Sequence, residues 1–495
     1  MYSLLLLGLS AVSGDLPPPP LRDATVTVQS ESIAELRQAL GRAVQERRLA
    51  DALPLAKALT AHSQFGSLPE PLRQTVWNLI GLINLDLDRP VDAVAPLITA
   101  SEMPSATQEH WMSRLEAQNR SRDMNGASTT VVQMLDRYPE VHADLSDTFL
   151  VQLAGNRLTD KETAAALRLA LYRSSWRYEH ASWVWVLLVD DLLEAGRAAE
   201  AAPVLSRITS PESLMKLAAM RRYDAVRAAA GAPDFDAAAV FAADLDRLRR
   251  LANKPHATLE SRSDLIWGLF SRGRYEEALT LADGALAGQP PAAGSEHGDD
   301  YTWIMDTRAR ILMALGRPDE AIEQQRAAAA RTEDGATNVS QTINLGWLYF
   351  RTGRNAEAMA TVSDIGEGAS PFGLMQAIQV RACAAVALGD TFAAETAYEY
   401  LVEHAAEAPT AVYEALACRG DVDAMARLLL NQFEDPDAAD RAVAAMHVYV
   451  PPSNSTAVDA RLATADAAAR ARPEIIAARD RVGRGFAVPV LGGQF

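Results

Sequence analysis

The sequence predicts an all-α fold in which antiparallel helix pairs stack into a solenoid, and two observations carry that expectation. Between Ser261 and Pro371 a glycine is followed five residues later by an alanine three times: Gly273 with Ala278, Gly316 with Ala321, and Gly353 with Ala358. Apolar residues recur at helical spacing on both sides of each of these turns. The composition agrees: 495 residues with 6% aromatics, rich in Ala, Leu, Arg and Glu, and no sustained alternation of β-branched residues. A glycine lacks the Cβ that penalises the left-handed conformation, so it ends a first helix cheaply. The methyl side chain beyond it lets the returning helix approach closely.

From its N-terminus, residues 1–14, MYSLLLLGLSAVSG, read as a signal peptide, with an apolar core from Leu4 to Val12 and small residues near Ser13 and Gly14, although no Lys or Arg precedes the core. This places the mature chain in the periplasm or outside the cell, with a cytoplasmic location as the alternative. Residues 15–30 carry Pro17 to Pro20 and form an extended spacer. Ser32 caps a helix running to Arg47, and Ala52 is the small residue of its partner. Repeats occupy 31–209, degenerate helical units 210–260, and the clearest repeats 261–434. The rest, 435–495, is a helical cap with a tail in which Phe486, Val488, Val490 and Leu491 need cover. The stretch GQPPAAGSEHGDD reads as a loop, and no later run of about 20 apolar residues suggests a membrane span.

Several segments share a fuller pattern. The first strong unit has Gly273, Tyr275, Ala278, Ala285 and Pro290; the third has Leu345, Gly346, Tyr349, Gly353 and Ala358. An earlier unit has Trp77, Ile80, Gly81, Ala93, Leu97 and Ala100, and Trp111 comes 34 residues after Trp77. This resembles the tetratricopeptide repeat, whose period is about 34 residues. The resemblance implies a right-handed superhelix that binds proteins rather than catalysing a reaction. Asp88 and Arg122 stand where the family has glycine, so those turns are expected to close differently. After Gly420 the alanine comes one residue early, at Ala424.

Charge and motifs narrow the function classes. With 47 Lys and Arg against 64 Asp and Glu, the formal charge is −17, which disfavours nucleic acid as a partner. The eight histidines are dispersed, with no pair at metal-binding helical spacing; His297 beside Asp299 and Asp300 is the nearest cluster. No phosphate loop, nucleophile elbow or Cys-His signature occurs, so no cofactor, metal or catalytic residue is assigned. Cys383 and Cys418 read as small buried residues, with a disulfide between neighbouring repeats as the alternative.

The resemblance also implies which residues face a partner. Counted from the turn glycines, the family's inner-face positions fall on Trp267 and Phe270, beside Ser263 and Ser271; on Trp303, Asp306, Arg310 and Met313; and on Ile343, Trp347, Phe350 and Arg351. Aromatic and Arg side chains dominate binding hot spots. These residues either form a groove for a protein segment, or Trp267 and Trp347 pack against neighbouring repeats and the chain's own ends. A scaffold or adaptor is therefore the expected function. The alternatives are a structural subunit of an envelope or multiprotein assembly, and an all-α toroid acting on a polysaccharide or lipid.

Overall fold

The computed structural model describes residues 32–155, 157–292, 295, 298–332, 336–366 and 368–491. The segments 1–14 and 15–30, and His297, lie outside them. The chain forms two compact units, Met1–Ile208 and Thr209–Phe495.

In the first unit the helices pair as α1 (Ile33–Gln45) with α2 (Leu49–Ala61), α3 (Glu70–Asp86) with α4 (Pro90–Ser101), and α5 (Gln108–Arg120) with α6 (Met124–Arg137). Next come α7 (Asp147–Ala154), α8 (Lys161–Arg173), α9 (Ser182–Glu194) and the short α10 (Ala198–Ala201). The second unit opens with α11 (Pro211–Ala219), α12 (Asp224–Ala229) and α13 (Ala237–Ala252). Its regular pairs are α14 (Leu259–Ser271) with α15 (Tyr275–Leu286), α16 (Gly298–Ala314) with α17 (Pro318–Ala329), α18 (Val339–Arg351) with α19 (Asn355–Thr361), α20 (Pro371–Leu388) with α21 (Thr391–Glu403), and α22 (Pro409–Arg419) with α23 (Val422–Glu434). It closes with α24 (Ala439–Ala445), β1 (Val448–Val450), α25 (Ala457–Arg470), α26 (Pro473–Val482) and β2 (Ala487–Leu491). The fold is thus an all-α array of tetratricopeptide-like pairs, with one two-stranded parallel ribbon among the described residues, pairing Val448 with Ala487 and Tyr449 with Val488.

Local chemistry accounts for the boundaries. Ser32 Oγ accepts from the Glu35 N–H at 3.3 Å while Glu35 Oε2 accepts from the Ser32 N–H at 2.8 Å, a reciprocal cap for α1. Gly273, Gly316, Gly353, Gly389 and Gly420 all sit at φ between 72° and 79°. Asp88 and Arg122 adopt the same left-handed conformation, at φ 55° and 60°. Their turns therefore close as the glycine turns do: Arg89 N–H donates to Asn84 O at 2.8 Å, just as Arg317 N–H donates to Leu312 O at 2.9 Å. The expectation of a different closure is corrected, because the six-residue backbone bond outweighs a side-chain cost of about 1–2 kcal/mol.

Ala52, Ala93, Ala127, Ala278, Ala321 and Ala358 are all fully buried at the pair seams. A Cβ on Gly81 would lie 2.2 Å from Leu97 Cγ, so the α3 backbone there packs directly on the Leu97 side chain of α4. After Gly420 the seam position belongs to Met425, fully buried, and not to Ala424. Part of the GQPPAAGSEHGDD stretch is helix rather than loop: α16 starts at Gly298 and carries Asp299 and Asp300 in its first turn, where the helix dipole favours carboxylates.

One helix among the described residues, Pro371–Leu388, is long and apolar enough to cross a membrane, with mean hydropathy 1.3. Here it is a repeat helix whose Ala377, Cys383, Ala384 and Ala385 are fully buried.

Cys383 and Cys418 form a disulfide with Cα atoms 5.3 Å apart, which corrects their reading as separate buried thiols. They sit on the first helices of consecutive pairs, 35 residues apart, and the packing of those pairs brings them together.

Two outcomes are expected from these features. Gly81→Ala should lower the denaturant midpoint, by about 1–3 kcal/mol of overpacking, while Arg122→Gly should raise it by about 1 kcal/mol through relief of the left-handed residue. Reductant, or Cys383→Ser with Cys418→Ser, should lower stability by up to about 4 kcal/mol, the loop entropy that a cross-link of this span removes; an unchanged midpoint in reductant would show the bond does not constrain the repeats.

Candidate partner-binding face

The first helices α14, α16 and α18 carry the residues the sequence assigned to a partner. The structure separates them. Phe270 (2% exposed), Asp306 (2%), Met313 (7%), Ile343 (6%) and Phe350 (0%) are interior and offer no surface, which corrects their assignment as partner-lining residues. The reason is packing between consecutive pairs. Phe270 lies in a cluster with Leu269, Tyr275 and Leu491, whereas Met313, Ile343 and Phe350 share the neighbouring cluster. Asp306 accepts from Arg310 Nε at 2.6 Å and from Asn344 Nδ2 of α18 at 2.9 Å, so it fastens one pair to the next.

Trp347 is half-buried, edge-on to Phe350 at 5.5 Å. Trp267 and Trp303 are exposed, at 44% and 48%, and Trp267 lies 5.4 Å from Phe270.

Arg351 engages Asp459 of α25 in a bidentate pair, Nε to Oδ1 at 2.7 Å and a terminal nitrogen to Oδ2 at 3.0 Å. Burial alone would raise the Asp459 carboxyl, but the hydrogen bond and charge of Arg351 outweigh it and hold the group below the usual carboxylate range. Asn454 donates to the carbonyl of Ala314 at 2.5 Å. A space of only about 10 Å³ remains where Phe270, Arg310 and Arg351 meet Pro452, Asn454 and Leu491, room for one water at most. Part of the face expected to receive a partner is thus covered by Pro452, Asn454, Asp459 and Leu491 of the same chain.

Helix α25 continues this contact. Val458 and Leu462 pack on the cluster of α18, and Ala465 and Ala469 on the cluster of α22 and α23. Tyr413 donates its hydroxyl to Asp466 at 2.7 Å, and burial with the adjacent carboxylate pushes that phenol up. Glu414, beside it, takes a hydrogen bond from Gln379, yet burial and then Asp466 push it up to about 7. At the other end an open cleft of about 420 Å³ lies between Pro318, Ile322 and Arg354 on one side and Thr456 and Val458 on the other.

The ribbon anchors the segment. Val488 and Val490 are buried with Phe241 and Met215, and Asp440 is paired with both Lys216 and Arg222. His447, 3% exposed, accepts from the Phe486 N–H through Nδ1 at 3.1 Å, and burial, then the charge of Arg470, pushes it down to about 4. Sequence reading offered the chain's own ends as an alternative cover but could not assign Asp459 to Arg351, because that contact spans 108 residues. The available signal was the spacing of Val458, Leu462, Ala465 and Ala469, with Asp459 and Asp466 one heptad apart.

No protein-family model matches the chain, and no curated protein matches it. Among solved structures, the crystal structure of the APC/C hetero-tetramer Cut9-Hcn1 is similar at 11% identity, covering 91% of this chain and 96% of that one, with a TM-score of 0.29. The structure of Naa15/Naa10 bound to HypK-THB is similar at 12% identity, covering 91% and 90%, with a TM-score of 0.24. At those scores the superpositions are loose, and the repeat character of this chain rests on its own turns and seams.

The His447 contact makes stability depend on pH with a defined sign. Its folded value lies below the ordinary imidazole value of about 6.5, so the unfolded chain binds the proton first and stability is lost as pH falls from about 6.5 toward 4. Between pH 7 and 5 this amounts to about 2 kcal/mol. His447→Asn, which retains an acceptor for Phe486 but does not titrate, should shrink the fall in melting temperature over that interval; an equal fall in both proteins would rule out His447 as its source.

Proposed function

We propose that the chain is a non-enzymatic scaffold that holds a segment of a partner protein against the first helices of its second unit. The observation that carries this reading is the occupant already there. Asp459, Asn454 and Leu491 lie on that face through an Arg–carboxylate pair, a side chain to a helix-end carbonyl, and an apolar plug. A surface that seats a chain segment by these means has the shape and donors to seat another. Trp267 and Trp303 stand exposed on α14 and α16, where an incoming segment would find large, stiff anchors.

The disulfide supports an oxidising location, since such bonds persist outside the cytosol. We therefore place the mature chain in the periplasm or beyond, with residues up to about Gly14 removed.

A photo-crosslinking phenylalanine at position 303 tests the reading in the native organism. One discrete adduct is expected from position 303, weakened by Trp267→Ala, with none from the exposed control position 392. Absence of any adduct from both 303 and 267 would refute the scaffold reading.

A further inference from the structure

Helix α25 has the construction of a bound ligand more than of a core element. Ala465 and Ala469 are its buried apolar residues, Val458, Asp459, Leu462, Asp466 and Arg470 are partly buried, and its outer face is solvated. Burial of two methyl groups contributes little compared with the Leu, Val and Phe side chains that fix β2. Its specific contacts are polar: Asp459 with Arg351, and Asp466 with Tyr413. The cleft beside its first turn leaves its N-terminal end poorly packed. Both ends of the segment are held independently, by Asp440 on Lys216 and Arg222 and by Val488 on Phe241 and Met215. The linkers on either side carry one polar tie each, Asn454 to the Ala314 carbonyl and Arg472 to Asp423, which must release for α25 to part from its neighbours.

We infer that α25 is an intramolecular stand-in for the partner, and that the partner is a protein segment forming an amphipathic helix with two carboxylates a heptad apart flanking a stripe of small and medium apolar residues. The inference rests on the scaffold reading and specifies its ligand. The charge match is local: Arg351 is the cation that Asp459 satisfies, and the Tyr413 hydroxyl is the donor that Asp466 satisfies. A partner helix that supplies Leu or Met where α25 supplies half-buried Val458 and Leu462 can fill the open cleft that α25 leaves. While closed, α25 competes at the millimolar effective concentration typical of a short tether, so weak helices are excluded. Tyr413 and Glu414 of α22 face the second carboxylate, which Arg470 of α25 itself also pairs, and Arg351 with Arg354 face the first.

The probe is a fluorescein-labelled, end-capped peptide of residues 455–472, titrated into the full chain. Asp459→Lys with Asp466→Lys repels α25 from Arg351 and removes the acceptor of Tyr413. This opened variant should bind the peptide at least 10-fold tighter than the parent chain. Adding Arg351→Asp should reverse the gain, because it re-pairs with Lys at 459 and repels the native peptide. Equal binding by parent and opened chains would overturn the inference.

Hydrogen exchange on the unaltered chain decides the matter without any variant. Amides of 461–470 should exchange at least 100-fold faster than those of 377–385 in α20, through local opening. Equal protection in both helices would overturn the inference. Self-association of the opened variant, read by mass in solution, would replace the partner by a second copy and overturn its assignment to another protein. Peptide binding without any crosslink at position 303 would retire the scaffold reading while leaving the closed state of α25 intact.

Discussion

The close seam within each helix pair is the constraint on which the structure depends. A short amphipathic hairpin cannot bury its apolar stripe alone, so it needs a partner helix at contact distance and a neighbouring pair on its open side. Ala278, Ala321 and Ala358, all without exposed surface, set that distance in the central repeats, and Gly81 sets it still closer against Leu97. Where Met425 replaces the alanine, the seam must accommodate a long side chain, and the array ends with that same helix. Beyond it the chain no longer repeats: α24 to β2 form a cover for the faces that repetition leaves open.

Polar groups then fix register between pairs where apolar packing alone would allow sliding. Arg168, without exposed surface, holds Asp191 through Nε at 2.7 Å and a terminal nitrogen at 2.9 Å, and donates to the Ala154 carbonyl at 2.5 Å. Gln325 donates to both oxygens of Gln341 across the α17–α18 seam, at 2.8 and 3.2 Å. Asp306 joins Arg310 to Asn344. Such pairs add little net stability, because desolvation offsets most of the attraction, but a shifted register would strand each of them unpaired.

How far this was legible depends on the range of each interaction. Gly273 and Ala278 lie within one turn of their consequences, and the pattern they set repeats, so the all-α paired architecture could be read from the residues alone. Asp88 and Arg122 broke the pattern in residue type but not in backbone, since a left-handed residue is disfavoured rather than forbidden outside glycine. The face was harder. Counting from a turn gives the azimuth of a side chain on its own helix, and among the residues it named Trp267 and Trp303 are exposed. It could not give the distance to the next pair, which buries Phe270 and Phe350, nor the return of the chain that brings Asp459 to Arg351. Cys383 and Cys418 show the same limit, since one repeat period apart in sequence says nothing by itself about which sides of two helices face each other.

The returning segment is uneven in how firmly it is held, and that unevenness gives the face its character. Its outer parts bury branched and aromatic side chains: Val488 and Val490 with Phe241, and Leu491 with Phe270. Its middle buries two alanines and relies on carboxylates. Apolar burial at about 25 cal/mol per Å² favours the ends by several-fold, whereas an ion pair with side chains 15% and 16% exposed has most of its attraction offset by lost hydration. The returning segment is therefore held mainly by apolar burial at its margins and by polar contacts at its centre. The central face is thus closed by the helix of the returning segment that buries least apolar surface.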